Sequence, residues 1–168
     1  MKKLIALTLM AASAFGSAAS SQTAIVRNTL PATNGKPARI LESVEVPPGA
    51  TTLYVSGQLA SPIDPSKPAT TIADFGDTKT QAMSTFGKIK AILQSHGYAM
   101  SDIVKMTLFL APDPKLGKMD FDGVNAAFET FFNVPGNPNT VTRSAIQVGA
   151  LAGPNFLVEI EVIAAKVK

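Results

Sequence analysis

Two stretches of helical period, each apolar along one face only, constrain this chain more than any other feature. In the first, Ala82, Phe86, Ile89 and Leu93 recur at intervals of four, three and four, which puts them on one side of a helix. Thr78 and Gln81 precede them at capping-box spacing, Asp77 is a rival N-cap, and Gly97 follows as a C-cap. In the second, from about Asp120 to Phe132, Phe121, Val124, Phe128 and Phe131–Phe132 are expected to face inward. Pro135-Gly136-Asn137-Pro138 ends it. A helix with a single apolar face must bury that face against another layer.

The segments around the helices read as strands. Arg39 to Val46 alternates enough to be extended and is broken by Pro47-Pro48-Gly49, and Thr52 to Ser56 is β-branched and aromatic. This pair predicts a hairpin. Ile103 to Leu110, Ser144 to Val148, and Phe156 to about Ala165 supply three more strands, while Pro62, Pro65 and Pro68 predict an irregular loop from Ala60 to Gly76. The order β-β-α-β-α-β-β predicts an α+β fold, with a mixed sheet and both helices on one face. The bare face of that sheet needs a cover, and self-association is the simplest one.

The N-terminus reads as an export signal over residues 1–20. Lys2 and Lys3 precede an apolar run from Leu4 to about Ala14, and small residues around Ala12-Ser13-Ala14 and Ser17-Ala18-Ala19 offer cleavage contexts. A polar, Pro/Gly-punctuated lead-in, 21–38, is expected to be flexible, and the folded domain spans 39–168. This organisation predicts a periplasmic or secreted protein with no membrane anchor after processing. Setting Lys2 and Lys3 aside lowers the formal charge from +3 to +1. No basic cluster interleaved with aromatics appears, which argues against nucleic acid as a partner. With no cysteine the chain forms no disulfide.

Several chemistries lack their residues. The single histidine, His96, sits beside Gly97 and reads as a helix C-terminal residue near the dipole. Without a second histidine or any cysteine, no ordinary zinc site is expected. Serine elbows and phosphate loops are absent. No cofactor or metal is predicted.

What stands out is charge on the last strand. Phe156, Val158, Ile160 and Val162 alternate with Leu157, Glu159, Glu161 and Ile163, so two carboxylates share one face of an otherwise apolar segment. Arg143 enters the preceding strand, with no other charge until Glu159. A guanidinium fork suits a carboxylate. It could pair with Glu159 or Glu161 across the sheet, or it could clamp a ligand; spacing leaves both open.

Four segments together resemble the YjgF/RidA family of enamine/imine deaminases. They are Leu53-Tyr54-Val55-Ser56-Gly57-Gln58, Asp102-Ile103-Val104-Lys105-Met106-Thr107, Val124-Asn125-Ala126-Ala127-Phe128 with Phe131-Phe132, and Thr142-Arg143-Ser144 followed by Leu157-Val158-Glu159-Ile160-Glu161. The similarity runs from about Ile40 to Lys166. It implies a chorismate-mutase-like β-β-α-β-α-β-β unit, assembled as a homotrimer with sites in the clefts between subunits. It also implies hydrolysis of 2-imino or enamine acids to 2-keto acids and ammonia, without a cofactor. Arg143 then clamps the substrate carboxylate, Glu159 helps hold the hydrolytic water, Ser56 and Gly57 line the pocket, and Asn125 positions the site. The family's frequent cysteine is Ala145 here, whose carbonyl remains to orient water. The family's first-strand tyrosine falls at Ser43, and the loop Ser61 to Asp77 is longer than usual. Loss of that phenol leaves an alternative, a trimer that binds small carboxylates without catalysis.

Overall fold

The computed structural model describes residues 23–167, so the segment read as an export signal lies outside the described residues. Four strands form the main sheet in the order β3 (Thr51–Leu59), β6 (Val158–Lys166), β4 (Ile103–Leu110), β5 (Thr142–Gln147). β6 runs antiparallel to both β3 and β4, and β4 is parallel to β5, so the sheet is mixed as predicted. Helix α1 (Thr78–Ser95) connects β3 to β4, and α2 (Phe121–Phe128) connects β4 to β5. Both crossovers step across the sheet in the same direction. Right-handed crossovers of that kind must lay both helices on the same face.

The core lies between those helices and the sheet. Ala82, Phe86, Ile89 and Leu93 of α1 are fully buried, as their spacing predicts, and meet Val124, Ala127 and Phe128 of α2. From the sheet come Met106, Leu108 and Leu110 of β4 with Val158, Ile160, Val162 and Ala164 of β6. The helix ends follow local chemistry. Asp77 rather than Thr78 caps α1, its carboxylate accepting the Thr80 N–H at 2.8 Å. Gly97, at φ +76°, lets the Tyr98 and Gly97 amides return to Leu93 (2.8 Å) and Gln94 (3.1 Å), a Schellman ending. Gln81, expected in a capping box, is instead buried and holds the approach to β6. It donates to the Asn155 carbonyl at 3.0 Å and accepts the Leu157 N–H at 2.9 Å.

Three expectations are corrected. Arg39 to Val46 and Thr52 to Ser56 do not form a hairpin. β2 (Leu41–Glu45) pairs antiparallel with β1 (Val26–Thr29) in a separate two-stranded ribbon, while β3 pairs with β6. Pro47 and Pro48 lack the N–H a ladder needs, and Gly49 at φ +86° turns the chain away. β1 itself falls in the lead-in; Arg27 anchors it by donating to the carbonyls of Ser101 (2.7 Å) and Ile103 (3.1 Å). Helix α2 stops at Phe128 instead of running to Phe132. Its last carbonyls are taken by a tightened turn and by the Thr130 hydroxyl, which donates to Ala127 at 2.8 Å. Phe132 still stacks on Phe128, with centroids 4.4 Å apart. Finally Phe121, expected inside, is 40% exposed.

No described element covers the sheet face away from the helices. Tyr54, Lys105, Thr107, Glu161 and Ile163 line up there, and Tyr54 is 73% exposed.

Candidate functional site

The edge strand β5 and the stripe of α2 above it form the most unusual polar environment among the described residues. Arg143 stands opposite Met106 of β4, whose other neighbour is Val162 of β6. Cross-strand partners share a face, so Arg143 points toward the helices, at the sheet edge. There its Nη2 donates to Asn125 Oδ1 at 2.9 Å, and its Cζ lies 4.5 Å from the centroid of Phe128 and 5.9 Å from that of Phe121. Stacking on an aromatic face is favourable for a guanidinium. Nη1 is buried and meets no hydrogen-bond partner among the described residues.

No carboxylate among the described residues forms an ion pair with this group. The ion pairs among the described residues are Arg39–Glu129 (2.7 Å) and Lys67–Asp64 (2.8 Å). Burial pushes the Arg143 guanidinium down to about 10; the neighbouring charge of Arg39 adds to the effect and Glu129 partly offsets it. At neutral pH the group therefore keeps its charge, half-buried and without a counter-ion. A buried charge in that condition is expensive unless something anionic arrives.

Glu159 is elsewhere. It pairs with Phe109, three rows along β4 from the Arg143 level, and an odd offset on a strand means the opposite face. Three rows and two strand spacings each amount to roughly 10 Å. Glu161, opposite Thr107, also faces away from the helices. The reading of Arg143 as one half of a cross-sheet ion pair is therefore excluded.

Glu159 instead lies over Gly57. The β3–β6 register slips between Val55 and Gln58, a bulge that brings the Gly57 backbone up to the carboxylate. A Cβ built on Gly57 would sit 1.8 Å from Glu159 Oε1. Ser56 beside it is exposed, and its carbonyl accepts from Gln58 Nε2 at 3.1 Å. Ala145, opposite Leu108, is on the Arg143 side and packs against the core.

The predicted site residues thus fall into two half-sites. Arg143, Asn125 and Ala145 lie under α2, while Ser56, Gly57 and Glu159 gather at the bulge on the far face. Cavity volume alone would choose another place. Clefts of about 750 and 670 Å³ flank the segment from Leu30 to Ile40, and neither is lined by Arg143. A shallower recess of about 370 Å³ joins Glu159 to Phe109, Val148 and Leu151. We place the site at Arg143 because an unpaired charge specifies a ligand class, whereas an apolar cleft does not. Sequence reasoning missed Phe121, Phe128, Arg39 and Glu129 as its surroundings. The signal for two of them was present: Phe121, Asn125 and Phe128 recur at four and three. His96, read as a terminal helix residue, is exposed, its Nδ1 2.9 Å from the Ile92 carbonyl.

The depressed pKa has a sign that can be checked. From about 10 up to the ordinary arginine range the folded chain loses the Arg143 proton while the unfolded chain keeps it. Stability accordingly rises with pH across that window and is flat below it. An anion seated on Arg143 is expected to behave in the opposite sense, binding constantly to about pH 9 and more weakly above about pH 10. Titration of a 2-keto acid at pH 8, 9 and 10.5 tests this; constant affinity throughout would place the anion on another group.

Comparison with known proteins adds the following. Residues 43–166 match the model of the family described as Endoribonuclease L-PSP. A Salmonella typhimurium protein named 2-iminobutanoate/2-iminopropanoate deaminase is 33% identical over 135 residues, 80% of this chain and 95% of that one. A RutC family protein of Pasteurella multocida is 32% identical over 134 residues, again 80% and 95%. Among solved structures, a Rid-family protein of Yersinia pestis superposes with TM-score 0.60 over 83% of this chain and 98% of that one; at 22% identity it speaks for the fold alone. TdcF of E. coli, solved with bound serine, has TM-score 0.52 and 31% identity over 68% of this chain and 80% of its own.

Proposed function

The chain belongs to the YjgF/RidA family, and from that premise we propose that it is a hydrolytic deaminase of 2-imino and enamine acids, acting outside the cytoplasm. The observation that carries the reading is the half-buried Arg143 guanidinium, charged, without a counter-ion, and with Nη1 unpartnered. That arrangement calls for a small carboxylate. Two similar proteins agree in chemistry, one being named for 2-imino acids and the other having been solved with serine, itself a carboxylate. Residues 2–14 favour export, and the near-neutral charge without Lys2 and Lys3 favours a small substrate over RNA.

The reaction needs little machinery. Arg143 takes the substrate carboxylate, oriented by Asn125 and backed by Phe128. Water adds to the imine carbon, the carbinolamine collapses, and ammonia leaves with the 2-keto acid. Glu159 accepts a proton from the attacking water and returns one to the leaving nitrogen. Ser56 and Gly57 shape the floor beneath it, and the Ala145 carbonyl is a further acceptor for the water. Arg143 and Glu159 stand on opposite faces of one protomer's sheet, and the open face around Tyr54 needs cover. Both facts favour a homotrimer in which one subunit's Arg143 meets the Glu159 of the next. Sedimentation of the mature protein at the mass of a monomer would remove that assembly.

A second reading is a carboxylate-binding trimer that has lost catalysis. Its support is Ser43, which stands where the family tyrosine is expected and whose Oγ accepts from Asn28 Nδ2 at 2.9 Å. One experiment separates the two. Imino acids are made in situ with an amino-acid oxidase, and 2-keto acid appearance is followed with and without the mature protein. Acceleration over the blank supports the deaminase; its absence for several imines, with 2-keto acids still binding, leaves the binder.

A further inference from the structure

The Arg143 seat has a second aromatic wall, Phe121, to which no role above is assigned. Phe121, Asn125 and Phe128 lie along one stripe of α2, and all three meet the guanidinium. The two rings differ in freedom. Phe128 is fully buried and stacked on Phe132 at 4.4 Å, so it cannot yield. Phe121 is the first residue of the helix, is 40% exposed, and takes part in none of the aromatic pairs among the described residues. Of the two described rings against Arg143, it is the exposed one.

Resting on the reading of Arg143 as carboxylate clamp, we propose that Phe121 selects the substrate's side chain, favouring 2-imino acids with apolar chains of several carbons over the shortest ones. Nη1, the donor without a partner, is buried, so a carboxylate reaches it only from a side that can move. Of the two flanking rings only Phe121 can swing. Once displaced by the incoming carboxylate, its face lies beside the ligand's α-carbon and covers the first carbons of the side chain. Ala145, two residues along the same strand face, adds no bulk there. Phe121 is thus a specificity residue and has no part in proton transfer.

The test uses stable 2-keto acids as probes. Wild type, Phe121→Ala, Phe121→Leu and Arg143→Ala are titrated calorimetrically with pyruvate and with 4-methyl-2-oxopentanoate. A contact worth one or more methylenes should make wild type bind the longer acid about tenfold more tightly or better. In Phe121→Ala that ratio should fall close to one, and Phe121→Leu should retain part of it, which separates loss of the wall from general damage to the fold. An unchanged ratio in Phe121→Ala, or a wild type that prefers pyruvate, overturns the proposal. Arg143→Ala tells the two failures apart. If it loses both ligands while Phe121→Ala keeps its ratio, only the side-chain assignment falls. If it binds both as wild type does, the carboxylate clamp falls and this inference with it.

Discussion

Arg143→Ala is expected to lower kcat/KM for imine hydrolysis by about a hundredfold or more, with 2-keto acid affinity falling in step. Each hydrogen bond to a charged group contributes about 1.5–3 kcal/mol, and a fork makes two of them, so about 3–6 kcal/mol is at stake. At about 1.4 kcal/mol per factor of ten, that is roughly 10² to 10⁴. Arg143→Lys should recover little, because an ammonium supplies a point charge where the fork and its stacking on Phe128 are required. Folding should survive the alanine change. Removing the guanidinium forfeits its contact with Phe128 and leaves Asn125 Oδ1 without its donor, but it also removes a desolvated charge that has no counter-ion. A melting temperature near that of wild type, together with activity lost, is the expected pair of results. Full activity in a folded Arg143→Ala protein would refute the clamp.

The second large effect concerns Gly57, which makes no chemistry of its own. The methyl group of Gly57→Ala would occupy the space of Glu159 Oε1, 1.8 Å away, and would crowd Cδ at 2.7 Å. The neighbour that must move is the far end of a flexible side chain, so the fold should accommodate the change. The carboxylate cannot stay where it is. Because a positioned acid–base group contributes typically 10²–10⁴-fold, kcat should fall by about a hundredfold while KM changes little. Glu159→Gln should reproduce the effect without any steric change. Single-turnover measurements with both variants provide the check. If Gly57→Ala is as active as wild type while Glu159→Gln is inactive, the observed carboxylate position is not the working one. If both are active, Glu159 has no role in the reaction.

These two residues show how differently the halves of the site were written in the sequence. The Arg143 half was partly legible. Charge at one point in an uncharged stretch drew attention to it, and the i, i+4, i+7 spacing of Phe121, Asn125 and Phe128 describes the stripe that receives it. What spacing could not supply was the direction of the arginine side chain, which follows from pairing β5 against β4 in one register. The Glu159 half was legible as an anomaly and illegible as a contact. Its partner, the Gly57 backbone, is brought close by a bulge; a lone glycine in a strand hints at a bulge but not at the carboxylate that meets it.

The same division runs through the fold. Period and capping chemistry act within a few residues, so they were enough for the α1 face, for the Gly97 ending, for β4, and for the alternation of β6. Strand partnership is a contest among segments far apart in the chain, decided by burial of the whole sheet. Hence β2 goes to β1, β3 goes to β6, and the expected hairpin is not made. Phe121 was placed inside because local pattern reports that a residue is apolar, whereas its depth depends on where the helix starts above the sheet. By itself the sequence determined two one-faced helices, the strands from Leu41 onward, and an arginine with glutamates near the end of the chain. Only tertiary structure decided that Arg143 and Glu159 stand on opposite faces of one sheet, because a side chain's face is set by its position in the strand register. That separation excludes the ion pair that spacing had left open and divides the candidate site residues between two places on the chain.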